Sequence, residues 1–121
     1  MRDHSFMSLI KEMTPMQRSV CNRLEESNAD LIWYGGKVDT WPLRVSVKNR
    51  EDQSLFAINT RQKKKYLRLE FRSIDYDGEF ASPTQHLNFD RYFDFVDEED
   101  VEEDISVASK IISTIKMNYK T

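Results

Sequence analysis

The sequence has few of the residues that build metal sites, disulfides or irregular folds. Among its 121 residues are one cysteine, Cys21, and two histidines, His4 and His86. A single cysteine cannot form an intramolecular disulfide, and these three residues do not supply the clustered ligands of a usual zinc site. Three glycines and three prolines argue against a collagen-like or loop-dominated chain. We therefore expect a domain held together by an apolar core, with no metal and no other cofactor.

Long apolar runs are also missing from the sequence. No stretch approaches the ~20 residues of a membrane-spanning helix, and the N-terminal segment lacks the apolar stretch of a signal peptide. We therefore predict a cytoplasmic protein with no membrane association. The composition, 39% hydrophobic and 32% charged, is typical of globular proteins. The chain length fits one domain over residues 1–121.

The first 28 residues are predicted to form a helical segment. Apolar residues recur at helical spacing over residues 6–13 and again, every four residues, over residues 16–24. Thr14 and Pro15 suit the N-cap and the first residue of the second helix, because Thr accepts a backbone hydrogen bond there and Pro needs no partner for its nitrogen. Cys21 lies within the second apolar run, so we interpret it as a small core residue.

Residues 29–96 are predicted to form an antiparallel sheet of about four or five strands. From Asp30 the apolar period changes to two, and the runs at 31–34, 43–48, 54–60 and 66–72 are joined by short polar turns. Residues 73–86 have no such alternation and are predicted to be a loop. A last strand, either continuous or interrupted near Arg91, is predicted by four residues of one parity: Leu87, Phe89, Phe93 and Phe95.

Residues 97–119 are predicted to form a long helix that packs on the sheet. Asp97 suits the N-cap, and the acidic residues after it stabilise the positive end of a helix dipole. The predicted packing stripe repeats at spacings of three and four: Val101, Ile105, Ala108, Ile112, Ile115 and Tyr119. The predicted architecture is therefore α+β. The same stripe also suits a dimer seam.

The net charge of −3 conceals a separation of charge along the chain. Residues 29–72 contain ten Lys and Arg against five Asp and Glu, whereas residues 73–104 contain twelve acidic residues against Arg91 alone. Either both segments form solvated surface, or the basic segment binds an anionic partner.

The basic residues cluster on one predicted turn and on the outward positions of the predicted strands. Cations beside an aromatic ring on a sheet face suit single-stranded nucleic acid, which binds by phosphate neutralisation and base stacking. The alternative is that the cations protect exposed turns and strand edges from aggregation. The candidate binding residues are Arg44, Lys48, Arg61, Lys63, Lys64, Lys65, Tyr66, Arg68 and Arg72.

Catalytic patterns are not found in the sequence. No serine lies in a nucleophile turn, and Gly35-Gly36-Lys37 lacks the spacing of a phosphate-binding loop. The strand segment Val45–Lys48 has Ser46 where a restriction-type nuclease needs a carboxylate. We therefore predict a protein that is not an enzyme, with His86 as the residue nearest to a catalytic candidate.

Three segments resemble an uncharacterised bacterial domain that is called a "predicted transport protein". They are Phe56 to Ile58 followed by Gln62-Lys63-Lys64 and Leu67-Arg68-Leu69, the start of the sheet at Trp33 to Lys37, and the closing helix that ends at Tyr119. The domain occurs alone or fused to restriction-endonuclease-like domains. The resemblance implies a small α+β accessory module, often in a DNA-related setting, and it assigns no catalytic residue.

The sequence therefore predicts a non-enzymatic binding module that presents a basic sheet face to nucleic acid or to an acidic protein surface. The alternative is a protein-interaction or homodimerisation domain that uses the C-terminal helix or a sheet edge.

Overall fold

The computed structural model describes residues 1–36, 43–61, 66–84 and 88–119, with the backbone alone for Arg61. These residues form three α-helices, a six-stranded antiparallel sheet and one short 3-10 helix. The helices are α1 (His4–Ile10), α2 (Pro15–Ser27) and α3 (Val101–Met117). The strands are β1 (Ile32–Gly35), β2 (Arg44–Lys48), β3 (Ser54–Arg61), β4 (Tyr66–Phe71), β5 (Ser82–Pro83) and β6 (Arg91–Phe95). The predicted α+β class is confirmed.

The spatial order of the strands is β1-β2-β3-β4-β6-β5, and each neighbouring pair is antiparallel. The first four strands form the predicted meander. The one strand that the sequence did not predict is β5, which lies in the segment predicted to be a loop. It has two residues, one of them Pro83, so it is too short to produce an alternating pattern in the sequence.

The N-terminal helices begin at well-capped residues. Thr14 Oγ1 accepts a hydrogen bond from the Gln17 backbone, and the Gln17 side chain accepts one from the Thr14 backbone, which completes a capping box. Pro15 is the first residue of α2, as the sequence predicts. The Gln17 side-chain nitrogen also donates to the Tyr66 backbone oxygen over 3.3 Å, so this cap fastens α2 to the start of β4.

The core lies between one face of the sheet and the helices. Trp33 of β1 is fully buried at its centre, with Phe6 of α1 and Phe56 of β3 in edge-to-face contact at 5.9 and 5.7 Å between ring centroids. Alternate residues of each long strand join this core. The indole nitrogen of Trp33 donates to the backbone oxygen of Asn28, so its single polar group is satisfied.

Helix α3 covers the core with the predicted stripe. Its buried residues are Ile105, Ala108, Ile111, Ile112 and Ile115. The helix begins later than the sequence suggests. Asp97 precedes the 3-10 helix Glu98–Asp100 without a side-chain capping bond, and α3 starts at Val101. Among the described residues, no helix has both the length and the apolar character needed to cross a membrane.

The last strand, β6, begins at Arg91, where the sequence also allowed an interruption, and Phe89 lies outside it. Phe93 and Phe95 lie in β6 on the core side, with ring centroids 5.4 Å apart. Phe89 precedes the strand and lies 5.6 Å from the Arg44 guanidinium, on the other side of the sheet. The carboxylate of Asp90, between Phe89 and β6, accepts hydrogen bonds from the Ser73 backbone and hydroxyl. Leu87, the first residue of the predicted strand, lies outside the described residues.

Close packing of α1 on β1 predicts that Gly35→Ala destabilises the protein. A Cβ at position 35 would lie 2.6 Å from the Ser5 backbone oxygen and 2.9 Å from Leu9 Cβ. Because relief requires a backbone shift, the free energy of unfolding should fall by about 1–3 kcal/mol in urea titrations.

Gly36→Ala is the matched control, because the nearest atom to its added Cβ is the Arg44 backbone oxygen at 3.8 Å. Its effect should stay within about 0.5 kcal/mol. Equal losses of stability in the two variants would contradict the close approach of α1 to Gly35.

Candidate functional site

The sheet face opposite the helices carries four of the nine predicted binding residues, and we call it the open face. Arg44 lies opposite Asn59, and Asn59 lies opposite Arg68, so the two arginines share a row across β2, β3 and β4. Their backbones are roughly 10 Å apart, because β3 separates them. The open face consists of Tyr34, Arg44, Ser46, Lys48, Ala57, Asn59, Tyr66, Arg68, Glu70, Tyr92 and Asp94.

Arg68 is held by two neighbours from β6. Its guanidinium donates to both carboxylate oxygens of Asp94, over 2.7 and 3.0 Å. The same group stacks on the Tyr92 ring, 3.8 Å from the centroid. The hydrogen bonds that it donates to Asp94 raise the pKa of the Arg68 guanidinium above its usual range. With its side chain 15% exposed, Arg68 has little surface left for a ligand.

Arg44 and Lys48 of β2 also have partners within the chain. The Arg44 guanidinium lies 3.7 Å from the buried Glu70 carboxylate and donates to the Asn59 side-chain oxygen over 3.3 Å. The Lys48 ammonium lies 2.6 Å from the Asp52 carboxylate and 5.2 Å from the centroid of the Tyr34 ring. Asp52 raises the pKa of Lys48 above its usual value.

Arg72 lies just beyond β4 and fastens three segments together. It donates to Asp75 over 3.0 Å, to the Tyr119 hydroxyl over 2.6 Å and to the backbone oxygen of Ser54. The Tyr119 hydroxyl in turn donates to Asp75 over 3.1 Å. The structure therefore places Arg72 in a network between β3, the loop after β4 and the end of α3.

The Tyr66 ring, predicted to stack on a partner, belongs to the open face but is 5% exposed. Tyr34 and Tyr92 are more exposed, and each lies against a cation of this chain. The described part of the open face is therefore a surface on which cations, carboxylates and aromatic rings already contact one another.

The remaining predicted cations belong to the turn between β3 and β4. Arg61 pairs in register with Tyr66, so the strands on both sides of this turn are fixed. The side chain of Arg61 and all of Lys63, Lys64 and Lys65 lie outside the described residues. We call residues 61–65 the basic turn.

The sheet register brings the acidic segment to the same end of the sheet as the basic turn. Phe95 of β6 lies opposite Leu67 of β4, so the chain leaves β6 beside that turn. It then runs through the mostly exposed acidic residues of 97–104. Burial, and then the neighbouring carboxylates led by Asp100, raise the pKa of Asp104. The two segments that the sequence separates are therefore close in the fold.

The described residues contain no group of three or more His, Cys, Asp and Glu placed to hold a metal ion. His86 lies outside the described residues. Cys21 is fully buried, as predicted, and burial raises the pKa of its thiol to about 12.

The partners of the arginines were not found by sequence reasoning. Glu70 and Asp94 share the outward parity of their strands, which was the available signal. Because β6 pairs with β4 and the strand order cannot be read from the sequence, that signal did not identify Asp94 as the partner of Arg68.

Comparisons of the chain with protein-family models, with curated proteins and with solved structures found no match. The resemblance to the bacterial accessory domain therefore stays a prediction from sequence motifs.

The burial of Cys21 predicts slow reaction with thiol reagents at pH 8. A thiolate is the reacting species, so the folded chain should be modified at least ~10³-fold more slowly than the urea-unfolded chain, where the pKa is about 8.5. Stopped-flow absorbance with a chromogenic disulfide measures both rates. Rates within tenfold of each other would place Cys21 at an accessible position.

The ion pair of Arg68 and Asp94 should contribute more to stability than a geometrically similar exposed pair. A double-mutant cycle with Arg68→Met and Asp94→Asn should give a coupling energy of about 1 kcal/mol, because water screens this pair only partly. Urea unfolding of the four proteins measures this energy.

The matched control is the pair of Arg23 and Glu102, which has two hydrogen bonds of 2.6 and 2.8 Å but side chains 41% and 75% exposed. Its coupling should be clearly smaller, because water screens two exposed side chains. Equal coupling in the two cycles would show that the open-face pair is as fully solvated as the exposed one.

Proposed function

We propose that this chain is a non-enzymatic binding module that receives a polyanion, such as a nucleic-acid backbone, at the basic turn. The observation that carries the proposal is the pairing of the other predicted cations. Arg44, Lys48, Arg68 and Arg72 each have a carboxylate partner in the chain. The four cations of the basic turn concentrate charge within five residues.

The basic turn connects β3 and β4, which are the third and fourth strands in the spatial order of the six-stranded sheet. β3 and β4 are paired along five registered residue pairs, up to Arg61 and Tyr66. The basic turn has four cations within five residues of sequence, and closely spaced cations neutralise successive phosphates effectively.

The proposed binding uses charge and does not use base stacking. Tyr66 is buried, and the rings of Tyr34 and Tyr92 already contact Lys48 and Arg68. Because these three rings are buried or already in contact with a cation, the proposal assigns no base stacking to the described open face. We therefore expect little preference for base sequence and a strong dependence on salt.

The neighbouring acidic segment lowers the affinity of the basic turn for a polyanion and limits the directions from which a polyanion can approach it. Asp97 and the residues after it lie beside the basic turn and repel a polyanion on that side. Together with a net charge of −3, this repulsion favours weak binding that added salt abolishes.

The alternative, a dimerisation domain that uses the C-terminal helix or a sheet edge, has less support. The apolar stripe of α3 is buried against the sheet. At the edge formed by β1, Arg2 forms a bridge with Trp33, and at the other edge β5 contains Pro83. Light scattering at ~100 µM separates the two functions, since the proposed module is a monomer at that concentration.

Fluorescence anisotropy with labelled single-stranded oligonucleotides of mixed sequence tests the proposed function. At ~50 mM salt we expect a dissociation constant on the order of 10–100 µM, with a log–log salt slope of about −2 to −3 for four cations. Lys63→Ala with Lys64→Ala should flatten that slope by roughly 1.4, at ~0.7 for each lost phosphate contact.

The control variant is Arg50→Ala with Lys110→Ala, which removes the same charge from exposed residues far along the chain from the basic turn. It should leave the slope unchanged. Undetectable binding of the parent chain, or equal losses in the two double variants, would reject the basic turn as a polyanion site.

A further inference from the structure

A cleft lies at the end of the sheet opposite the basic turn. It has a volume of about 260 Å³ and is bounded by the turn between β2 and β3, the segment before β1 and the end of α3. Ligand pockets of proteins usually exceed about 300 Å³. The cleft is therefore too small for a nucleotide and has the size of one amino acid.

The floor of the cleft is apolar. It is formed by Leu31, Leu55 and the ring of Tyr119. Leu55 reaches the cleft because the register of β2 and β3 shifts there: Val47 lies opposite Phe56, whereas Lys48 lies opposite Ser54. Leu31 and Leu55 are 4% and 1% exposed, so they are fixed by the core beneath them.

The wall formed by the turn at residues 49–53 is rigid. The Asn49 side-chain oxygen accepts hydrogen bonds from the backbone of Glu51 and Gln53, over 3.0 and 2.9 Å. The Asn49 backbone also donates to the Gln53 oxygen over 3.0 Å. Asp52 adopts a φ of 66°, a conformation that Asp tolerates better than most residues. Arg50 and Glu51 therefore stand on a preformed turn.

The wall formed by Tyr119 is also fixed. Its hydroxyl is held by Arg72 and Asp75, and the Asn118 side chain donates to the Asp75 backbone oxygen over 2.7 Å. Because both walls are set before any ligand arrives, binding loses little conformational entropy in the protein.

The charges at the rim fall into two pairs. The Lys116 ammonium donates to Asp30 over 2.8 Å and to the Asn28 side chain over 3.2 Å, so that pair is neutralised internally. Arg50 and Glu51 are exposed, and within the described residues neither forms an ion pair. A cation and an anion are therefore available side by side above an apolar floor.

We infer that this cleft binds a small zwitterion with an apolar side chain, of the size and chemistry of a free amino acid such as phenylalanine or leucine. Arg50 receives the carboxylate, since guanidinium groups bind carboxylates with two hydrogen bonds. Glu51 receives the ammonium, and the side chain covers the floor of Leu31, Leu55 and Tyr119. The inference does not depend on polyanion binding at the basic turn.

Amide NMR of the ¹⁵N-labelled chain tests the inference with four probes: phenylalanine, N-acetylphenylalanine, phenylalaninamide and glycine. Phenylalanine should produce saturable shifts confined to residues 30–31, 49–55 and 115–119. Each of the other three probes lacks one recognised group and should bind at least about fivefold more weakly.

Two conservative variants assign the charges, and a third serves as control. The Arg50→Gln variant should bind phenylalanine about fivefold more weakly, and it should no longer bind phenylalanine more tightly than phenylalaninamide. The Glu51→Gln variant should no longer bind phenylalanine more tightly than N-acetylphenylalanine. Lys110→Gln, on an exposed position of α3, should change nothing. The spectrum of each variant shows directly whether it is folded.

Three results would overturn the inference. The first is the absence of localised shifts up to ~20 mM phenylalanine. The second is binding of glycine or phenylalaninamide as tight as that of phenylalanine. The third is tighter binding of a peptide with an internal phenylalanine, which would make the cleft an anchor pocket for a protein partner.

Discussion

The structure depends on the packing of its helices against one face of the sheet. Trp33, Phe6 and Phe56 contact one another at the centre of that interface, and α3 adds a continuous row of Ile and Ala side chains. Because apolar burial is the main source of folding free energy, this interface fixes which parity of every strand points inward. The other parity carries cations, carboxylates and aromatic rings, and four of its residues are buried as well: Ala57, Asn59, Tyr66 and Glu70.

The side chains of the open face contact one another. Arg68 with Asp94 and Tyr92, and Arg44 with Glu70 and Asn59, place cations, acceptors and aromatic surfaces in contact across neighbouring strands. Such pairs leave few unsatisfied charges on the strands. The two proposed sites lie instead at turns, which connect the strands at opposite ends of the sheet.

The sequence predicted the elements that depend on local spacing. The N-cap at Thr14, the helix start at Pro15 and most of the α3 stripe follow from helical periodicity and cap chemistry. The four long meander strands follow from alternation. The parity of Phe89 matches that of Phe93, yet β6 begins only at Arg91, so parity alone does not locate the start of the strand.

The candidate sites were less accessible from the sequence than the fold. The cation-rich segment is visible as a charge pattern. The pairing of Arg44 with Glu70 and of Arg68 with Asp94 depends on strand order, which is a long-range property. The cleft depends on a register shift beside Leu55 and on the Tyr119 network, and neither leaves a local pattern. Sequence reasoning therefore located the charge and did not locate the residues that neutralise it.

The central claim is that the arginines of the open face are held by this chain's own carboxylates. The most direct measurement is the hydrogen exchange of arginine Nε–H groups by NMR in the free protein. Arg68, whose Nε donates to Asp94 over 2.7 Å, should give a distinct and slowly exchanging signal, whereas exposed Arg50 should exchange rapidly. Equally fast exchange for Arg68 and Arg50 would contradict the claim, because the open face would then carry free cations.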